Sequence, residues 1–232
     1  MKRTISEKEY CHDRLGENFK EVLSDYDTER RVMTLIDELI PAAAVDGKKA
    51  LDVGCGLGFF SERLVQRGAR VVACDLGENM VAQTAKRAGC EAVVADALAL
   101  LEMFGPAQFD LVVSSECIEH TPSPHAALQQ MANVLKPGGY LAVSTPNKLW
   151  WPVVKAATIL KARPFDGLEN FSTFRGIQSV LEDSGVDVIA KRGLHLYPFQ
   201  LGFHGMSTWI DYNLQGLQSL MINLCVLGVK RH

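Results

Sequence analysis

Residues 51–60 read Leu51-Asp52-Val53-Gly54-Cys55-Gly56-Leu57-Gly58-Phe59-Phe60. An apolar run ends in alternating glycines and passes at once into a helix-forming segment. That is the pattern of a buried strand turning sharply into a helix. Alternating glycines let the backbone bend tightly and come close to a ligand. A dinucleotide fingerprint needs G-x-G-x-x-G, and its third glycine position here holds Phe59. Without that glycine, and with the acid Asp52 just before the turn, the site suits a ligand that has no pyrophosphate and carries a positive charge.

Outward from this turn, short apolar runs alternate with helical periodicities. A helix is expected over 28–40, capped by Thr28, with Val32, Leu35, Ile36 and Leu39 on one side and Pro41 as its stop. Strands are expected at 50–53, 71–74, 92–95, 109–114 and 140–144. Helices are expected at 59–67, 78–88 and 124–136, the last ended by Pro137-Gly138-Gly139. A helix near 175–184, a strand at 186–190 and a final strand within 221–229 follow. Strands separated by helices predict an α/β fold with a mostly parallel sheet covered on both faces. The second strand ends in Asp75, which can accept both hydroxyls of a ribose. The third ends in Asp96, which can accept the exocyclic amine of a base. With Asp52, three acids meet at the carboxyl ends of three strands, where open α/β sheets hold their ligands.

Composition fits this reading. The chain has 232 residues, 47% hydrophobic and 22% charged, which describes a globular protein and excludes a disordered or fibrous one. Lys and Arg number 24 against 27 Asp and Glu, a net charge of −3, so no chain-wide grip on nucleic acid is expected. The six cysteines (Cys11, Cys55, Cys74, Cys90, Cys117, Cys225) form no C-x-x-C pair. That argues against a disulfide framework or structural zinc and points to a reducing, cytoplasmic setting. The first eight residues are not followed by an apolar core, so no signal peptide is expected. No apolar run reaches the ~20 residues of a membrane span. Between Glu119 and Asp166 there is no acid, yet Lys136, Lys148, Lys155, Lys161 and Arg163 lie there. This stretch is either a solvated basic face or a surface for an anionic partner.

Residues 50–146 resemble the cofactor domain of the class I S-adenosylmethionine-dependent methyltransferases, which have a Rossmann-like seven-stranded sheet. Residues 51–58 match that family's first motif, Asp75 its ribose acid and Asp96 its adenine-side acid. Leu135-Lys136-Pro137-Gly138-Gly139 matches the turn before its fifth strand. The resemblance implies an antiparallel last strand within 221–229 and S-adenosyl-L-methionine as co-substrate. It also implies that Gly54, Cys55 and Gly56 line the methionine part beside Asp52. Leu76 and Met80 would flank the adenosine, Asp96 would meet the base, and Ala97 and Ser115 would be further cofactor contacts. Arg30 or Arg31 would meet the cofactor carboxylate.

A second motif, Ser115-Glu116-Cys117-Ile118-Glu119-His120, follows the fourth strand. Glu116, Glu119 and His120 stand at i, i+3 and i+4, so a helical turn would bring all three to one side. Two carboxylates and an imidazole are a donor set for a divalent cation. The ubiquinone-biosynthesis O-methyltransferases carry a similar Glu-x-x-Glu-His, assigned in that family to Mg2+. The small-RNA 3′-end methyltransferases carry a related pattern. Without metal, the same residues would shape the pocket floor.

Ser144-Thr145-Pro146-Asn147, an apolar segment, and then Gly193-Leu194-His195 and Tyr197-Pro198 extend the similarity to the ubiquinone-type enzymes. It departs at the N-terminus and again from Phe199 to Ser219. These matches predict a single methyltransferase domain over 1–232. Its cofactor core would cover 28–146, a helical lid insertion 147–175, and the C-terminal sheet and acceptor side 176–232. Within 148–163, Val153, Ala156, Ala157 and Leu160 form a stripe, with Lys155, Thr158 and Lys161 roughly opposite. With Trp150 and Trp151, this suits peripheral contact with an anionic membrane. In the resembled family the equivalent insertion contacts lipid. A lid packed over the substrate or a second subunit is the other reading. Lone histidines (His12, His125, His204, His232) read as surface or structural groups.

The expected reaction is O-methylation of a small, lipophilic phenol or quinone precursor. His120 or His195 is the candidate base, unless a cation at Glu116 and Glu119 activates the acceptor instead. Alternatives are N- or C-methylation of another metabolite, RNA 3′-end methylation, or a cofactor-binding scaffold without turnover.

Overall fold

The computed structural model describes residues 5–6, 24–160 and 167–232. Cys11, His12, Lys161, Arg163 and Asp166 lie outside them. The first helix, α1 (Asp25–Val32), continues as a π-type turn over Met33–Leu39. It begins before Thr28 because the Ser24 hydroxyl accepts from Asp27 N, which makes Ser24 the cap and leaves Thr28 buried inside the helix.

The core then runs β1 (Lys49–Val53), α2 (Phe59–Gln66), β2 (Arg70–Asp75), α3 (Glu78–Ala88), β3 (Glu91–Val94), a short α4 (Leu100–Phe104) and β4 (Phe109–Ser115). After a 3-10 turn at Ile118–His120 come α5 (Pro124–Val134) and β5 (Leu135–Pro146). β5 starts five residues before the expected strand, because Leu135 already pairs with Phe109 and the register then shifts so that Leu111 meets Tyr140. The remainder comprises α6 (Trp151–Ile159), α7 (Phe174–Asp183), β6 (Val186–Leu194), α8 (His204–Asn213) and β7 (Asn223–Lys230). Sequence periodicity did not anticipate α4 or α8.

All seven strands form one sheet in the order β3-β2-β1-β4-β5-β7-β6. β1 to β5 are parallel, while β7 runs antiparallel to both β5 and β6. This is the expected α/β, Rossmann-like arrangement, with the antiparallel last strand that the resemblance implied. Each face is covered. Leu51, Val53, Val112, Leu128, Met131, Ile177 and Leu181 form one apolar layer, and Val32, Ile36, Ala50, Leu64, Leu111 and Val113 form the other. Strand residues alternate between the layers, as a sheet covered on both sides requires. The chain winds outward from β1 in one direction and from β4 in the other. The crevice therefore opens between the carboxyl ends of β1 and β4.

The five described cysteines are all free. Among the described residues no helix is long and apolar enough to cross a membrane.

Candidate active site

The glycine turn stands at the carboxyl edge of β1. Gly54 has φ +72, and a Cβ there would lie 2.4 Å from Cys117 Sγ. Only glycine permits this approach, which seats the loop after β4 directly on the turn. Gly56 has φ +52 and open space where a Cβ would point, so it borders the crevice. Cys55 is buried, and burial pushes its thiol far above its usual range, leaving it neutral and apolar. Asp52 lies beneath the turn and accepts from Ser61 Oγ at 2.6 Å. Burial pushes its carboxyl up to about 6, and the charge of Asp75 adds to the rise.

Asp75 ties the next strand end to the turn. One of its oxygens accepts from Gly56 N and the other from Gly77 N, each at 3.0 Å. A carboxylate offers about four acceptor positions, enough for these amides and for the hydroxyls of a ligand. Leu76 is half-buried beside it, and Met80 is buried in α3. At the end of β3, Asp96 accepts from Leu98 N at 2.9 Å and Ala97 is buried. Because β3, β2 and β1 are neighbours, these residues share one edge of the sheet. Open space at Gly56 and an acid beside it fit the ribose end of S-adenosylmethionine.

Across the crevice lies a buried polar network. Arg31 Nη1 donates to Ser115 Oγ at 3.0 Å, Ser115 and Ser144 hydroxyls lie 2.8 Å apart, and Ser144 Oγ donates to Glu116 Oε1 at 3.2 Å. Thr145 Oγ1 donates to Glu119 Oε2 at 3.0 Å. Burial pushes both Glu116 and Glu119 up to about 7, and the neighbouring Glu119 charge adds to the rise of Glu116. His120 Nδ1 meets the Leu168 carbonyl at 2.8 Å. A carbonyl only accepts, so Nδ1 carries a proton, and in the neutral ring the lone pair is on Nε2.

The metal triad is corrected by the backbone. Glu116 has φ +50, and the 3-10 turn starts only at Ile118, so Glu116 does not share a helical turn with Glu119 and His120. Glu119 Oε1 lies 3.7 Å from His120 Nε2, while Glu116 is engaged by Ser144. Among the described residues no group of three or more His, Cys, Asp or Glu side chains is arranged to hold a metal ion. The donor set as it stands does not fit Mg2+.

His195 also differs from its expected setting. It is wholly buried, with Nε2 3.0 Å from Asp27 Oδ1. No face of its ring opens on the crevice. Asp27 itself carried one sequence signal that went unused, its i, i+4 spacing to Arg31 at a helix start. Asn223, which stands at the start of β7 beside Glu116, carried none.

Three comparisons bear on identity. A family model described as a methyltransferase domain matches residues 51–143. The ubiquinone biosynthesis O-methyltransferase of Leptothrix cholodnii is 35% identical over 169 residues, 66% of this chain and 70% of that protein. The enzyme of the same name from Pseudomonas fluorescens Pf0-1 is 37% identical over 150 residues, 60% of this chain and 62% of that one. Among solved structures, magnesium protoporphyrin IX methyltransferase of Synechocystis PCC 6803 with bound SAH (S-adenosylhomocysteine) gives a TM-score of 0.69. That match has 16% identity and covers 96% of this chain and 97% of that one. A possible histamine N-methyltransferase of Thermotoga maritima gives 0.69 at 16% identity, over 96% and 99%. At such identity these two likenesses bear on the fold. The chain belongs to the S-adenosylmethionine-dependent methyltransferases, in the family of the ubiquinone biosynthesis O-methyltransferases.

Proposed function

We propose that this methyltransferase acts on a hydroxyl of a small, lipophilic phenol or quinone precursor. The observation that carries the reading is the contact of Gly54 with Cys117. It brings the loop bearing Glu116 and His120 against the turn of the cofactor crevice. The name of the relatives supports the acceptor class.

When bound, S-adenosylmethionine supplies an electrophilic methyl group on a sulfonium. In our reading Asp75 accepts the ribose hydroxyls, Asp96 and Ala97 meet the base, and Leu76 and Met80 flank the adenosine. Gly54, Cys55 and Gly56 line the methionine part above Asp52. Ser115 forms the floor, and Arg31 takes the carboxylate. A phenol has a pKa of about 10 and must lose its proton to attack. His120 Nε2, with its lone pair fixed by the bond at Nδ1, accepts that proton. The Leu168 carbonyl orients the imidazole, and Glu119, 3.7 Å from Nε2, stabilises the positive charge that the ring gains. The buried surroundings exclude water and favour loss of the sulfonium charge as the methyl moves.

The same reading makes 1–232 one functional domain, with 147–175 as its lid. Every residue of α6 escapes burial: Val153 is 57% exposed and Ile159 71%. With Lys148, Lys155 and the acid-free stretch, that favours peripheral contact with an anionic surface on the cytoplasmic side of a membrane.

Incubating the purified chain with methyl-labelled S-adenosylmethionine and a panel of catechols, prenylated phenols, amines and short RNAs tests the reaction. A methyl ether on a phenolic hydroxyl is expected. Label on nitrogen, carbon or RNA ends, or no transfer at all, overturns the proposal.

A further inference from the structure

The polar network ties the N-terminal helix to the far end of the sheet and, among the described residues, leaves one donor pair over. Asp27 Oδ2 accepts from Arg31 Nε at 3.0 Å and from Nη2 at 2.8 Å, while Oδ1 faces His195 Nε2 at 3.0 Å. Arg31 Nη1 reaches Ser115 Oγ at the end of β4. A guanidinium has five N–H donors. Three serve the described residues, among which one donor on each terminal nitrogen meets no partner. Asp27 holds the Nε–Nη2 edge, so the end of the guanidinium between Nη1 and Nη2 is the edge left to act as a fork for a carboxylate.

We propose that Asp27 and His195 are positioning residues that hold Arg31 so that this fork grips the α-carboxylate of S-adenosylmethionine. The inference rests on the assignment of Arg31 to that carboxylate and adds what fixes its geometry. An arginine side chain is long and flexible, and a fork that is already aimed loses less freedom on binding. The pair stays ionised. Burial raises the Asp27 carboxyl, but the charge of Arg31 and the bond from His195 outweigh it and hold the group well below its usual range. Since Asp27 is a carboxylate, His195 Nε2 is the donor. His195 itself is held in place by the fold. Its φ is +63, a left-handed conformation uncommon outside glycine, and such strain persists where the surroundings over-determine it. Tyr26 and Phe199 pack on its ring, and Asp211 accepts from the next amide, Leu196 N, at 3.2 Å.

Calorimetric titration with two probes separates this role from a structural one. S-adenosylhomocysteine has the amino-acid end; 5′-methylthioadenosine lacks it. Arg31→Gln should weaken S-adenosylhomocysteine by about 10- to 100-fold and leave methylthioadenosine within about twofold of the parent. Asp27→Asn and His195→Ala should show the same pattern at roughly tenfold. His195→Gln, which again offers an amide donor to Asp27, should recover most of the affinity. If Arg31→Gln leaves S-adenosylhomocysteine unchanged, the carboxylate assignment fails. If Arg31→Gln weakens it but Asp27→Asn and His195→Ala do not, the assignment stands and the positioning role is overturned. Equal losses for both probes reduce the two residues to structural supports and also overturn it. Asp27→Asn is isosteric and carries the test by itself should His195→Ala prove too unstable to titrate.

Discussion

Replacing Asp75 by alanine tests the centre of the cofactor crevice. The parent carboxylate accepts from Gly56 N and Gly77 N at 3.0 Å each. These two bonds exist with and without ligand, so their loss cancels from affinity to first order and falls on stability, at about 1 kcal/mol each. The ribose hydroxyls lose a charged acceptor only in the complex. A hydrogen bond to a charged group contributes about 1.5–3 kcal/mol, which corresponds to about 10- to 150-fold in Kd. Asp75→Ala should therefore bind S-adenosylhomocysteine that much more weakly by calorimetry and unfold at a lower temperature without ligand. Asp75→Asn separates the two effects. Its single carbonyl oxygen can serve one backbone amide, so it should regain part of the stability and little of the affinity. If Asp75→Ala loses stability but binds within about threefold of the parent, the carboxylate only braces the turn and the ribose assignment is wrong.

Three further outcomes follow from the same geometry. Burial lifts the Asp52 carboxyl from 3.8 up to about 6, so its ionisation opposes folding by nothing below about pH 4 and by at most ~3 kcal/mol above pH 6. Asp52→Asn keeps an acceptor for Ser61 and should unfold later than the parent at pH 8, with the difference closing as pH falls to 4; a gap that does not change with pH refutes this. Gly54→Ala places a Cβ 2.4 Å from Cys117 Sγ at φ +72, which should cost ~1–3 kcal/mol in a thermal melt and weaken S-adenosylhomocysteine binding; unchanged binding would separate the Cys117 loop from the crevice. Lys148→Glu with Lys155→Glu should lower flotation with phosphatidylglycerol vesicles, each lysine contributing about 1 kcal/mol, and spare cofactor binding; a parent that floats equally with neutral vesicles refutes membrane contact through α6.

The position of the strand-end acids was legible because it is set locally. A parallel strand buried on both faces reads as an apolar run, and the residue that ends it lies at the crevice by construction. Asp75 and Asp96 were found that way. The reading failed where it assumed regular geometry. Spacing alone put Glu116 on one side with Glu119 and His120, but a left-handed backbone at Glu116 breaks the period, and a glutamate gives no sign of that. α8 escaped notice for a different reason. Its buried positions are Ser207 and Asp211, while Trp209 is 60% exposed and Phe203, just before it, 76%. A search for an apolar inward face finds nothing there.

This difference in locality explains why the co-substrate follows from family membership and the acceptor has to be argued. Gly54, Gly56, Asp75 and Asp96 fall within the continuous match at 51–143 and are braced mainly by one another's loops. The opposite wall is assembled from distant pieces. Arg31 meets Ser115 across 84 residues, and His195 meets Asp27 across 168. Its outer part, from Phe199 to Ser219, lies where the sequence departs from the ubiquinone-type pattern. That stretch attaches through side-chain contacts such as Tyr26 with Thr208 and Asn147 with the Ser219 carbonyl, and contributes no strand to the sheet. Substitutions there leave the turn at Gly54 with its geometry. The sheet that positions the turn is held by β1, β2 and β4, none of which the stretch touches through ladder hydrogen bonds.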